Sequence, residues 1–239
     1  MRLPSISGTI RRRILVNFRV QPEVIQVLLP APFRPKLHDG HAVAGICLIR
    51  LEDIRPWHLP AVLGVRSENA AHRIAVCWTG DDGAEHEGVY IPRRDTSSLF
   101  NHLVGGRLFP GHHHRARFQV RDDEQGIDFA MQARDGDVAV ELRGRTADRL
   151  PATSRFGSLD EASAFFRQGS LGYSPSARGQ RLDGLNLLTR SWSVEPLSLQ
   201  HVYSSFFSDR ARFPEGSIEF DCALVMRNIE HEWRTAAAL

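Results

Sequence analysis

The stretch from residue 88 to residue 120 constrains the fold most, because signals for strand, helix and strand follow one another within it. Residues 89–91 are strand formers, and Asp95 stands where the N-cap of a helix is expected. An apolar stripe at helical spacing follows, formed by Leu99, Phe100, Leu103 and Val104. From residue 112 onward apolar and polar residues alternate, which is typical of a strand. The stretch therefore predicts a strand, a short helix and a second strand, in this order.

The alternation after residue 112 divides the side chains of the second strand between two faces. One face carries His112, His114, Ala116, Phe118 and Val120. Because this face is apolar further along, we expect His112 and His114 to point inward. The opposite face begins with His113 and continues with arginine and glutamine, so we expect it to meet water.

Similar runs of strand-forming residues recur along most of the chain. Their bounds are 14–20, 42–51, 66–78, 127–134, 138–145 and 218–226. Asp135-Gly136 joins two of these runs and is a strong signal for a β-hairpin. Helix starts are indicated by Pro22, which suits a first helical turn, and by Ser158, which suits an N-cap. We expect residues 169–184, which are rich in Gly, Ser and Arg, to form a mobile loop.

These elements define an expected fold class. About nine strands with three or four short helices favour an α+β protein that is mainly antiparallel β. No linker divides the chain, so we expect one domain over residues 1–239. The predicted architecture is a closed β-barrel with short peripheral helices.

Composition excludes several classes of function. The net charge of +2 is too balanced for a nucleic-acid-binding protein, which carries a basic stripe. No apolar run approaches the ~20 residues that cross a membrane, and the N-terminus lacks the apolar core of a signal peptide. The three cysteines are far apart and odd in number, so we expect buried thiols in a reducing compartment. We therefore expect a cytoplasmic protein with no nucleic-acid or membrane partner.

Lysine is nearly absent from the chain. Lysine and arginine together number 30, and Lys36 is the only lysine. Arginine keeps its charge, whereas a lysine amine can be made nucleophilic by its surroundings. Covalent chemistry through a side-chain amine therefore has a single candidate.

Three segments carry a resemblance to a known family. Residues 14–35 read ILVNFRVQPEVIQVLLPAPFRP, residues 89–114 read VYIPRRDTSSLFNHLVGGRLFPGHHH, and residues 213–233 read FPEGSIEFDCALVMRNIEHEW. The first resembles the opening of acetoacetate decarboxylase-like proteins, where a strand ending in arginine leads to a short helix and a Leu-Pro-x-Pro stretch. In the family, a strand with a Ser-Glu pair follows later in the order of elements, and Ser67-Glu68 occupies the corresponding place here. The chain is most similar to the YqjF-like bacterial branch of that superfamily.

The resemblance implies a closed barrel with an internal pocket and self-association into a homo-oligomer. It also implies a lysine that forms a Schiff base with a β-keto acid, placed after a short helix and a glycine- and proline-containing turn. Here that place, residues 105–111, holds Arg107 and no lysine. An arginine stays protonated and is no nucleophile. Lys36 lies in a proline-rich polar turn, where we do not expect it to be catalytic.

Arg19 and Glu68 match the pocket arginine and pocket glutamate of the family. Arg19 is a candidate for binding a carboxylate through two parallel N–H bonds, and Glu68 is the candidate catalytic residue, for proton transfer. The alternative is that both form surface groups or structural ion pairs. His112, His114 and Arg107 complete the set of expected ligand-binding residues. Arg93 and Arg94 are candidates to face an anion, but we interpret them as solvated loop arginines.

The spacing of His112 and His114 is also found in metal sites. Glu68, His72 or His102 would have to supply a third ligand, and no spacing in the sequence ties one of them to the pair. We therefore favour a hydrogen-bonded histidine pair and expect neither a metal nor another cofactor.

The sequence supports one main function and two alternatives. The main prediction is a barrel without the Schiff-base lysine that binds a small organic or keto acid, an anionic ligand, in its central cavity. The first alternative is a lysine-independent lyase, hydratase or cyclase that uses Glu68 and pocket histidines for proton transfer. The second alternative is a metal site at His112 and His114. The sequence leaves the identity of the ligand open.

Overall fold

The computed structural model describes residues 6–56, 64–104, 111–176 and 181–239. Within these ranges the chain forms thirteen strands and three helices. The strands are β1 (Ile6–Val20), β2 (Arg34–Pro35), β3 (Leu37–His38), β4 (His41–Pro56), β5 (Val65–Thr79), β6 (Glu85–Thr96), β7 (His113–Asp123), β8 (Gly126–Ala133), β9 (Ala139–Thr146), β10 (Leu171–Pro175), β11 (Leu182–Thr189), β12 (Glu195–Ser204) and β13 (Ile218–Ala236). The helices are α1 (Pro22–Leu28), α2 (Leu99–Val104) and α3 (Leu159–Gln168).

Nine strands close into a barrel in the order β6-β7-β8-β9-β12-β13-β1-β4-β5, and pairing between β5 and β6 completes the ring. Neighbouring strands are antiparallel except at β6 and β7, which run parallel. Full closure leaves no unpaired edge in this ring, which stabilises a sheet of this size. The predicted closed barrel of mainly antiparallel strands with short helices is therefore confirmed.

A second ring closes on the other side of the same wall. β10 pairs with β6 and β11, and β11 pairs with β13, so that β6, β10, β11, β13, β1, β4 and β5 form a ring of seven strands. The two rings share β13, β1, β4, β5 and β6. Side chains alternate across a strand, so each shared strand points one set into the nine-stranded ring and the other into the seven-stranded ring.

The interior of the nine-stranded ring is filled largely by aliphatic and aromatic side chains. Val16, Ile46 and Val225 point into it from the shared strands. The rings of Phe18 and Phe207 lie there with their centroids 4.9 Å apart. Leu15 and Cys47, one position away, belong instead to the core of the seven-stranded ring. The shared wall is thus buried on both faces, which explains its long apolar runs.

Several predicted elements are confirmed. Pro22 opens α1, and the Ser158 hydroxyl accepts a hydrogen bond of 3.1 Å from the backbone N–H of Glu161 at the start of α3. β8 and β9 form the predicted hairpin, with Gly136 at φ 82° in the turn. No helix within the described ranges is long and apolar enough to cross a membrane.

Two local predictions are wrong. Asp95 lies within β6, which continues past Pro92 because it pairs with β5 as far as Asn69 and Thr96. Its carboxylate accepts hydrogen bonds from Arg93, and the N-terminus of α2 is capped by Ser98, whose hydroxyl accepts from the Asn101 N–H. The expected loop at 169–184 contains β10, because its backbone adds to β6 in parallel. Gly105 and Gly106 follow α2, and glycine favours the end of a helix, but both residues lie outside the described ranges.

Close contact between two shared strands makes a prediction about stability. A Cβ atom on Gly45 would lie 2.2 Å from the backbone oxygen of Val16 in β1, and the paired strands have no room to separate. We expect Gly45→Ala to lower the free energy of unfolding by roughly 3 kcal/mol, the upper range for overpacking. Urea denaturation monitored by circular dichroism measures this.

Gly136→Ala is the matched control for this variant. Gly136 has positive φ but open space around its Cα, so the same substitution there costs only the strain of the left-handed backbone, about 1 kcal/mol. Equal losses in the two variants would contradict the close packing of β1 on β4.

Candidate functional site

A cavity of about 150 Å³ lies inside the seven-stranded ring. All seven strands contribute to its wall, and Phe165 and Phe166 of α3 close one side. Most of the wall is aliphatic or aromatic. The chemistry-bearing residues on it include Arg13, Lys36, Cys47, Arg73, Arg94 and His113.

Arg13 comes from β1 and Cys47 from the neighbouring β4. The Nε–H of Arg13 donates to the Sγ of Cys47 over 3.2 Å. Both residues are buried, and the Arg13 guanidinium lies 5.8 Å from the ring of Trp192. The guanidinium is therefore held by a thiol and an aromatic face, which are weak partners for a full charge.

Arg73 comes from β5 and is 5% exposed. It donates a short hydrogen bond to the side-chain oxygen of Asn17, and its charge lies 5.0 Å from the ring of Phe166. Its Nε–H has no partner among the described residues. Burial is the main cause that lowers the pKa of Arg73 to about 10, so this residue stays charged at neutral pH.

Arg94 follows Arg93 at the end of β6, and its Nε–H donates to the Ser174 hydroxyl of β10 over 3.0 Å. Burial lowers the pKa of Arg94 to about 10. Within the described ranges none of Arg13, Arg73 and Arg94 forms an ion pair with a carboxylate. Arg13 and Arg73 are buried and Arg94 is partly buried, while Glu87 and Asp95 on the same wall pair with Lys36 and Arg93. Enclosed cations without a paired carboxylate are costly, and an anion placed between them would offset that cost.

Lys36 also reaches this cavity, which corrects its placement in a polar turn. Its backbone N–H donates to Ala75 of β5, and this contact turns its side chain toward the seven-stranded ring. The ammonium group donates to Glu87 over 2.5 Å and to Gln168 over 2.8 Å. It also lies 4.5 Å from the ring centre of Phe165. The amine thus contacts a carboxylate, an amide oxygen and an aromatic ring.

The two faces of β7 are assigned differently from the expectation. His112 is exposed, whereas His113 lines the cavity and its Nδ1 lies 3.2 Å from the carbonyl oxygen of Gly111. The reason is that β7 leaves β6 where the two rings part, so the side opposite the nine-stranded ring faces the second cavity and not solvent. Burial, aided by the charge of Arg94, lowers the pKa of His113 to about 3.

His114 lies at the edge of the nine-stranded ring, with its Nδ1 2.8 Å from a carboxylate oxygen of Asp135. The centroids of the imidazole rings of His112 and His114 are 4.5 Å apart. Within the described ranges no three histidine, cysteine or carboxylate side chains are close enough together to hold a metal ion.

Arg19 does not line this cavity. It forms an ion pair with Glu219, lies 3.6 Å from the carboxylate of Asp221, and donates to the carbonyl of Thr153 over 3.2 Å. The cavity beside it measures only about 10 Å³. The structure thus gives Arg19 the ion pairs that were the alternative expectation. Arg107 lies outside the described residues.

Glu68 is bound by two arginines. Its carboxylate lies 2.8 Å from Arg12 and 3.4 Å from Arg50. Burial raises the pKa of Glu68, and the two guanidinium groups act against that rise. It shares the face of β5 with Ala70 and His72, which point into the nine-stranded ring. The structure therefore does not bring Glu68 to the cavity of the buried arginines.

The described fold is similar to the folds of several solved enzyme structures. An acetoacetate decarboxylase-like enzyme from Sphingomonas wittichii RW1 matches with a TM-score of 0.60 and 13% identity, over 98% of this chain and 92% of that one. Acetoacetate decarboxylase from Legionella pneumophila matches with a TM-score of 0.59 and 12% identity, over 99% and 88%. The enduracididine biosynthesis enzyme MppR, complexed with pyruvate, matches with a TM-score of 0.56 and 11% identity, over 98% and 88%.

The class of fold is therefore that of acetoacetate decarboxylase-like proteins. Residues 8–215 match the model of the DUF2071 family, described as an uncharacterized conserved protein, and the chain belongs to this family. No curated protein sequence matches the chain. The resemblance to the acetoacetate decarboxylase-like superfamily and its YqjF-like branch is thus confirmed.

Sequence reasoning missed most of the cavity-lining polar groups. Arg13 and Arg73 each interrupt or border an otherwise apolar strand run, and a charge in such a run is a signal for a buried site. Arg94 was interpreted as solvated because the helix was expected to begin at Asp95. Cys47 was correctly predicted to be buried.

A buried histidine in the nine-stranded ring makes stability dependent on pH. His72 is fully buried, its Nε2 lies 3.1 Å from the Ser204 hydroxyl, and burial lowers its pKa to about 3. The unfolded chain takes up the proton near pH 6.5, and the folded protein does not. Stability from this residue is therefore present above pH 6.5 and falls by about 1.4 kcal/mol per pH unit as the pH drops toward 3.

We expect His72→Gln, which keeps a hydrogen-bonding group near Ser204, to flatten this dependence by about that slope between pH 6 and pH 4. Urea unfolding at a series of pH values measures it. His201→Gln, at an exposed histidine, is the control and should leave the slope unchanged. A parent-like slope in His72→Gln would contradict the assignment.

Proposed function

We propose that this protein binds a small organic acid in the cavity of the seven-stranded ring. The observation that carries the proposal is the group of three guanidinium ions, of Arg13, Arg73 and Arg94, that have no carboxylate partner among the described residues. An arginine recognises a carboxylate through parallel N–H donors. A bound anion would supply the counter-charge that these arginines lack.

The size and lining of the cavity support a short ligand. A volume of about 150 Å³ with mainly apolar walls suits a carboxylic acid with a short carbon chain. The solved structure of MppR with pyruvate adds support for a keto acid, since that protein has the same fold. The proposed cationic site is thus the set of arginines in the second ring, in place of Arg19.

The alternative of a lyase, hydratase or cyclase that uses Glu68 has less support. The carboxylate of Glu68 is engaged by Arg12 and Arg50 and does not line the cavity in which we place the ligand. The histidine on the cavity wall is His113. Proton transfer through Glu68 stays a prediction from the resemblance alone.

The expected homo-oligomer also stays a prediction. The side chains of Leu99, Phe100 and Leu103 on α2 are more than half exposed, at 58%, 53% and 60%. An exposed apolar stripe of this kind is compatible with an interface between copies of the chain.

Calorimetry tests the binding site with a panel of pyruvate, acetoacetate and acetate. We expect Arg73→Gln, which retains a donor for Asn17, to weaken binding of the tightest member about tenfold or more, because a charge-assisted hydrogen bond is lost. Arg19→Gln is the matched control, since Arg19 is a partly buried arginine paired with Glu219 and Asp221. Equal affinity in Arg73→Gln and the parent protein would refute the site.

Borohydride trapping tests whether Lys36 carries amine chemistry. A Schiff base requires a free, neutral amine, and the Lys36 nitrogen is paired with the Glu87 carboxylate and lies over the ring of Phe165. We expect the parent protein and Lys36→Arg to give the same masses after reduction with pyruvate present. A stable adduct in the parent that is missing in Lys36→Arg would show that this chain retains a Schiff-base lysine.

A further inference from the structure

Cys47 is the thiol on the wall of the arginine-lined cavity. It lies on β4, is 5% exposed and accepts the hydrogen bond from Arg13 Nε described above. The cation therefore lies directly against the sulfur, the atom that acts as the nucleophile of a cysteine. A buried structural cysteine, by contrast, is normally surrounded by apolar groups.

An independent feature indicates that a charged ligand approaches this sulfur. Arg73 is buried on the same cavity wall, and its Nε–H has no partner within the described ranges. Cys47 lines the same cavity from the neighbouring strand β4, which pairs with β5. The Arg73 guanidinium and the Cys47 sulfur thus border one cavity, in which a carboxylate can bind to the arginines beside the thiol.

The other two cysteines have different surroundings. Cys222 is fully buried, and burial raises the pKa of its thiol to about 12, which makes it inert. Cys77 is partly exposed on β5, and its Sγ lies 3.9 Å from the carbonyl oxygen of Pro35. Neither residue lines the arginine cavity. They therefore serve as internal references for the reactivity of Cys47.

We propose that Cys47 is a nucleophile toward small carboxylic acids that carry an electrophilic carbon and are held by Arg13 and Arg73. This inference rests on the proposed anion-binding function. With a 2-oxo acid, the sulfur forms a bond to the keto carbon and the carbonyl π pair moves to oxygen. That oxygen takes the proton given up by the thiol, so the addition needs no oxidant or reductant. Cys47 then takes the covalent role that a lysine has in the enzymes the chain resembles.

Alkylation of the intact protein with iodoacetate and with iodoacetamide tests this proposal. In each reagent the sulfur displaces iodide, and the two reagents differ mainly in the charge of the carboxylate. Peptide mass spectrometry gives the rate at each cysteine. We expect the ratio of the iodoacetate rate to the iodoacetamide rate at Cys47 to exceed that at Cys77 about tenfold, the contribution of one charge-assisted hydrogen bond. Cys222 should stay unmodified.

Arg13→Gln should bring the ratio at Cys47 close to the ratio at Cys77, because the cation beside the sulfur is removed. A Cys47 that reacts with neither reagent, or that shows the same ratio as Cys77, would overturn the proposal.

Calorimetry on Cys47→Ser separates the covalent role of Cys47 from the binding function of the cavity. If that variant binds pyruvate as the parent does and Cys47 shows no preference for iodoacetate, the covalent role fails alone. If neither protein binds any carboxylate of the panel, the binding function fails as well.

Discussion

The structure depends on five strands that serve as a wall common to two closed rings. Each of these strands is paired on both sides, and each of its faces is buried in a different interior. A wall of this kind has no solvent side, so a polar residue on either face is enclosed within one ring or the other. The nine-stranded ring is filled with apolar and aromatic side chains, whereas the seven-stranded ring keeps a cavity. One ring can be packed while the other keeps a cavity because successive side chains of the same strands point into different interiors.

The local elements and the first ring were accessible from the sequence. Hairpin signals, helix caps and apolar runs depend on neighbours along the chain, and Asp135-Gly136 and Ser158 behaved as these local rules require. The second ring was not accessible, because it is closed by the parallel pairing of β10 with β6, two segments distant in sequence. No short-range pattern encodes such a pairing, and the segment that forms β10 has the composition of a loop.

The errors about the site have the same origin. The face of β7 that begins with His113 was expected to meet water. That expectation is correct for a sheet that is buried on only one side. Here that face begins in the second ring, so His113 is enclosed and His112 is exposed. Arg13 and Arg73 were not predicted as site residues for the same reason. In a barrel with a single interior, side chains on their face of the strand would point to solvent. The family resemblance led to Arg19 as the candidate for ligand binding. In the structure, Arg19 lies near the end of β1 and forms ion pairs with Glu219 and Asp221.

The choice of arginine for the cavity has a physical consequence. Burial lowers the pKa of Arg73 and Arg94 only to about 10, so both remain cations at neutral pH even without a carboxylate partner. A lysine in the same position would lose its proton more readily and become a nucleophile, which is how amine catalysis is obtained in a buried site. The arginines of this cavity therefore provide fixed positive charge for an anion but no amine for covalent bonding, and the one amine on the wall, that of Lys36, is paired with Glu87. Any covalent step in this cavity then requires a different nucleophile, and Cys47 is the cavity-lining residue whose sulfur already interacts with one of the cations.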